Sequence, residues 1–150
     1  MNTFLELQGP ARQLIVRHEA TIRQILGFVP NAIYRIDVLS PVFTKYTLGP
    51  IPGTDQWAML HHFTGPDPDP RAHDHPVRFE SHVLAGSYRE RVYENGGFAD
   101  VLRPAGSSHV IEPTCIHRLL DLPEGECWTL CLAGPVVRAW RHYDEAELLP

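Results

Sequence analysis

From about Ala32 onward the chain is cut into short segments rich in branched and aromatic residues, each closed by proline, glycine or aspartate. No feature limits the fold more. Nine such segments, at residues 33–39, 57–63, 79–85, 87–93, 98–102, 108–111, 117–122, 128–132 and 136–143, recur at the roughly 8–12-residue spacing of antiparallel strands. Gly49-Pro50, Pro52-Gly53, the 66–70 proline run and Pro123-Glu-Gly125 supply turns between them. Asn95-Gly96, between Tyr93 and Phe98, predicts a two-residue hairpin loop. No helical period separates the segments, so the class is all-β, a sandwich or a barrel.

The exception is the amino-terminal stretch. Leu14, Ile15, Ile22, Ile25 and Leu26 form one stripe at helical spacing over residues 10–27, with Pro10 at its opening and Gly27 at its close. Arg12, Arg17, Glu19 and Arg23 occupy the other face. The stripe must be buried, against the β-domain or against a second copy. Residues 1–30 therefore read as a helical extension and 31–150 as the β-barrel domain, one domain in a chain of 150 residues.

Charge and cysteine usage remove several function classes. A formal charge of −5 offers no basic footprint for nucleic acid or an anionic membrane surface. No apolar run reaches the ~18 residues needed to span a bilayer, and MNTFLELQGPARQ lacks an apolar signal core. A cytoplasmic protein is expected. Cys115, Cys127 and Cys131 are an odd count without a Cys-x-x-Cys pair, against both a disulfide framework and a zinc knuckle.

Chemistry concentrates in residues 72–90, AHDHPVRFESHVLAGSYRE. His73 and His75 are two apart, so on a strand both imidazoles leave one face. Glu80 follows across Pro76, which can reset the pleat and return a carboxylate to that face. His117, just after the Pro113-Thr114 turn, is the best candidate for a fourth ligand. Two or three imidazoles and a carboxylate form a donor set of borderline softness, suited to one divalent transition metal. Iron(II), manganese, nickel, cobalt and zinc all suit it, and affinity order alone would favour copper or zinc.

At these residues the sequence resembles the cupin superfamily. His73, His75, Glu80 and Gly86 stand in the order of its first motif, G-x5-H-x-H-x3,4-E-x6-G, with five residues rather than six before the last glycine. Ile111-Glu-Pro113-Thr-Cys-Ile-His117-Arg118 matches its second, with Glu112 and Thr114 where proline and glycine are usual. The likeness runs over roughly residues 57–135 and is similar in detail to small bacterial single-domain cupins with a His-Asp-His-Pro motif. It implies a double-stranded β-helix, a jelly-roll barrel, with His73, His75, Glu80 and His117 as metal ligands.

The resemblance fixes no reaction; the three-histidine-plus-glutamate pattern favours a metal-dependent enzyme, an iron(II)-type oxygenase or dioxygenase on a small polar substrate bound at the metal, with iron(II) the favoured ion. A non-redox isomerase, epimerase or lyase, or a non-catalytic binding protein, are the alternatives. His61, in parity with Trp57 and Met59, His82, on the face of Glu80, and Tyr88 are the candidate catalytic groups. Tyr88 and Glu90 follow Gly86 at period two and either line the barrel or pack the sheet. His109 is expected on the outer side of its strand, and Asp67 and Asp69 in a solvated loop. A homodimer is expected, because an open jelly roll exposes strand edges.

Overall fold

The computed structural model describes residues 5–150, so the start of the amino-terminal extension lies outside the described residues. In chain order the elements are β1 (Leu5–Glu6), α1 (Gly9–Arg17), α2 (Glu19–Leu26), β2 (Ala32–Ile33), β3 (Arg35–Ser40), β4 (Phe43–Pro50), β5 (Trp57–Phe63) and β6 (Ala72–His73). They continue as β7 (Phe79–Glu94), β8 (Gly97–Pro104), β9 (Ser108–Ile111), β10 (Ile116–Asp121), β11 (Cys127–Ala133), β12 (His142–Tyr143) and α3 (Glu145–Leu148). The protein is mostly strand, curled into a half-barrel, as the punctuation implies.

The sixteen-residue strand β7 organises the barrel. Its first half pairs with β11 and β9, and its second half with β10 and β8. The change of partners occurs around Gly86, which adopts φ +72°, where a left-handed backbone favours glycine. The ladder to β11 also slips there, Trp128 facing Ala85 and Thr129 facing Val83. One extra residue inverts which side chains face inward. Before the bulge, Ser81 and Val83 are the inward residues; after it, Tyr88 joins Val83 in one buried cluster with Leu119 and Cys127. Two segments expected as separate strands, 79–85 and 87–93, are thus one strand bent at a corner.

The amino-terminal stripe covers the outer face. Ala11, Leu14, Ile15, Ile22 and Leu26 pack with Leu60 of β5, Leu84 of β7 and Trp128, Leu130 and Leu132 of β11. Fully burying a side chain such as Leu60 or Leu130 contributes about 1.5–3 kcal/mol. The stripe is therefore buried by its own chain. The single expected helix is broken at His18 (φ −111°, ψ 23°), although the hydrogen bonds His18 N to Leu14 O and Ile22 N to His18 O bridge the break. Gly27 closes α2 at φ 84°.

The hairpin between β7 and β8 turns on Asn95-Gly96, with Tyr93 opposite Phe98, and both loop residues take positive φ. Strand β4 has no counterpart among the expected segments. It mixes apolar and polar residues on both faces, Tyr46 and Leu48 with Thr44 on the helix side and Phe43 with Lys45 and Thr47 on the other, so no alternation marks it. The expected final strand, 136–143, shrinks to β12; residues 134–141 form an irregular strap with a bend at Arg138, hydrogen-bonded to the 74–78 connection through Gly134 N–H to Arg78 O and Val137 N–H to Pro76 O.

Candidate metal centre

Register brings the histidines together. His117 of β10 lies directly opposite His73 of β6, so their side chains share a face. His75 follows in the connection to β7, its backbone N–H donating to the Pro113 carbonyl at 3.1 Å. The Glu112–Cys115 turn, closed by Cys115 N–H to Glu112 O at 2.9 Å, then leads into β10 and presents His117. One nitrogen from each of His73, His75 and His117 lies within 4.8 Å of the others.

The arrangement fits a divalent metal. His75 Nε2 and His117 Nε2 stand 3.0 Å apart. Nitrogens held ~2.0–2.1 Å from one ion at angles between a right angle and the tetrahedral value are about 2.9–3.4 Å from each other. Burial, reinforced by the neighbouring imidazoles, lowers the pKa of both His73 and His75 to about 3. Both rings are neutral near pH 7, with a lone pair to give.

Two carboxylates stand behind these rings. Glu90, 1% exposed, has Oε2 at 3.3 Å from His117 Nδ1, and its Oε1 accepts from Arg103 at 3.2 Å. Burial pushes the Glu90 carboxyl up, but the His117 hydrogen bond and the cations around it win and hold it at about 2. Asp67 Oδ2 lies 3.8 Å from His73 Nδ1 and accepts the Leu119 N–H at 2.8 Å. Asp67 is in the loop between β5 and β6, as expected, but its carboxylate turns in toward β10 rather than out to solvent, and burial raises its pKa.

Glu80 is not brought to the cluster. Its carboxylate meets His82 Nε2 at 3.2 Å, and both residues lie on the side of β7 that carries Leu84 and faces Leu132. Pro76 does not return the carboxylate inward, because Phe79 takes the inward position at the head of β7, its ring against His75 and His61. The same parity carries His82 outward, away from the other candidate catalytic groups.

His61 and Tyr88 point into the barrel. His61 is ringed by Phe43, Phe63 and Phe79, its Nδ1 is 3.6 Å from Cys131 Sγ, and its buried Nε2 has no hydrogen bond. Tyr88 Oη lies 3.3 Å from His109 Nε2, and burial raises the phenol's pKa. His109 corrects the expectation for its strand: opposite the inward Ser81, it points inward too.

Sequence reasoning missed Asp74, between the two histidines of the motif. It is 1% exposed, accepts Arg141 N–H at 2.8 Å and Tyr143 Oη–H at 2.7 Å, and pairs with Arg138 at 2.9 Å. Asp74 thereby ties the carboxy-terminal strap against the histidine segment, setting Trp140 and His142 edge-on to His73. The only signal in the sequence is an acid between two ligands, which alternation alone sends to the outer face.

No protein-family model matches the chain, and no curated protein matches its sequence. Solved structures do match its fold. Hydroxypropylphosphonic acid epoxidase from S. wedmorenis, solved with fosfomycin, aligns at TM-score 0.53 and 14% identity, over 66% of this chain and 54% of that one. The chain thus spans about half the epoxidase's length. The 7S globulin of Momordica charantia aligns at 0.56 and 10% identity, over 73% and 34% of the two chains. A Bacillus subtilis oxalate decarboxylase mutant aligns at 0.53 and 13%, over 70% and 29%. One fold carrying an epoxidase, a decarboxylase and a globulin fixes no reaction. It does fix the architecture: this protein has the cupin fold, with three histidines converging inside its curled sheet.

Proposed function

We propose that the protein is a metal-dependent cupin enzyme, holding one divalent transition metal on His73, His75 and His117. We read it as an oxygenase or dioxygenase on a small polar substrate, with iron(II) as the metal. The convergence of three imidazoles, two of them with nitrogens 3.0 Å apart, carries the reading. Its similarity to an epoxidase solved in an iron(II) form supports the choice of metal.

Such a metal, when bound, supplies a Lewis acid and, as iron(II), a one-electron redox centre. The remaining work belongs to the chain. Phe79 separates His75 from His61 and keeps bulk water from the interior. His61 Nε2, buried and without a hydrogen-bond partner, is available to a polar substrate group once Phe79 is displaced. Tyr88 keeps its phenolic proton, which can be held or passed at Oη against His109 Nε2.

One observation favours a second reading. With Glu80 elsewhere, three neutral imidazoles leave a divalent ion its full charge, which suits polarising a carbonyl in an isomerase, epimerase or lyase. Metal analysis by mass spectrometry on protein purified without chelators is the test. About one metal per chain is expected, with near-complete loss in His75→Ala; full stoichiometry in that variant would overturn the site. Iron with oxygen uptake on small acids would support the oxygenase. Metal without oxygen uptake, together with turnover of a carbonyl substrate, would support the second reading.

The chain is further proposed to form a homodimer. Strand β3 ends the large sheet, and its Val38 and Leu39 are largely exposed. Light scattering should give about twice 17.0 kDa, whereas the mass of one chain would remove the proposal.

A further inference from the structure

We infer that Glu90 is the positioning residue of the metal centre: it holds the His117 ring in one tautomer, from behind, while Arg103 sets how strongly it does so. The inference rests on the three-histidine site proposed above. Its starting point is the displaced carboxylate. Glu80 lies on the outer face with His82, and the carboxylate aligned with a candidate ligand is instead ten positions on, past the β7 bulge.

The geometry gives Glu90 one task. Its Oε2 is 3.3 Å from His117 Nδ1, while His117 Nε2 faces His75 Nε2 at 3.0 Å. A ring donating Nδ1–H to a carboxylate carries its lone pair on Nε2, the nitrogen on the metal side, and is the more basic ligand for it. Glu90 is 1% exposed and Arg103 binds its other oxygen at 3.2 Å, so the carboxylate cannot swing away into solvent. The two oxygens are divided, one for the ligand and one for the cation. Strand geometry enforces the contact. His117 pairs with Val92 and Leu119 with Glu90, so Glu90 is the diagonal neighbour of His117 across β7 and β10. Outside the group within 4.8 Å, Glu90 is not itself a ligand.

Arg103 draws charge from the carboxylate and so weakens its pull on the His117 proton. The two residues should therefore move metal affinity in opposite directions, although both hold β7 to β8. A purely structural strut would not do this, since breaking it from either end would lower stability and leave affinity alone.

The experiment measures Co(II) affinity of the whole protein by competition with a chromogenic chelator, with the visible ligand-field bands of the cobalt form as a second readout. Glu90→Gln, which keeps the shape and removes the charge, should weaken Co(II) binding by about 10–100-fold and shift those bands. Arg103→Met should bind Co(II) as tightly as wild type or more tightly, even where its melting temperature falls. Folding is checked by circular dichroism, and Glu90→Asp serves if Glu90→Gln is not folded: its shorter carboxylate, drawn back from His117 Nδ1, should weaken Co(II) binding and shift the bands, and wild-type affinity with unchanged bands would overturn the inference. Wild-type affinity and unchanged bands in a folded Glu90→Gln protein would overturn the inference, as would equal losses of affinity from both ends of the pair. Failure of the wild type to bind Co(II) at all would instead strike the three-histidine site itself.

Discussion

Gly86→Ala should destabilise the protein by about 3 kcal/mol or more, the largest effect expected of a methyl group added at any of its glycines. Two costs combine at this position. At φ +72° the backbone occupies the left-handed region, which costs a residue with a Cβ about 1–2 kcal/mol. The added carbon would also stand 2.0 Å from the Glu126 carbonyl oxygen and 3.0 Å from Cys127 Cα. Those are backbone atoms, and Cys127 is in register with Gly86 itself, so relief requires β11 to move off β7. Neither strand is free to do so, because Cys127 is fully buried beside Val83 and Tyr88. Urea unfolding should show the midpoint falling while the slope holds. A change below 1 kcal/mol would mean that the corner is made some other way.

The same corner explains what the sequence could and could not disclose. The helical stripe, the Asn95-Gly96 hairpin and the His73–His75 pair were legible because each depends on local spacing, whereas His117 joins them through its register with His73. Glu80 was not. Its place in the motif suggested a ligand, but parity counted from Phe79 sends it outward, and only the bulge before Gly86 brings Tyr88 and Glu90 inward. A bulge leaves little mark in a sequence beyond a glycine. His109 and Asp67 were misplaced for a related reason: the faces they take depend on pairing with Ser81 and Leu119, partners distant in the chain. Asp74 needed knowledge of the strap it holds.

His61→Phe should make the protein less sensitive to acid. Burial, with the positive charge of Lys45 second, lowers the His61 pKa to about 3. The unfolded chain takes a proton on this residue near pH 6.5. Between those values the unfolded state holds the extra proton, so stability is lost as pH falls through the window, starting near 6.5. A single such group removes about 1.4 kcal/mol between pH 7.5 and pH 5.5. Phenylalanine fits the surroundings, since Phe43, Phe63 and Phe79 already line the ring, and it buries no unpartnered Nε2. His109, held at about 4 by burial and the charge of Arg103, remains in both proteins and cancels in the comparison, as do the histidines of the cluster. The quantity to measure is therefore a difference of differences: urea stability of variant minus wild type, at pH 5.5 and again at pH 7.5. It should be larger at pH 5.5 by about 1.4 kcal/mol. Equal differences at the two pH values would mean that His61 takes up its proton in the folded barrel, and the interior around it would then be wet and open to a polar ligand without prior displacement of Phe79.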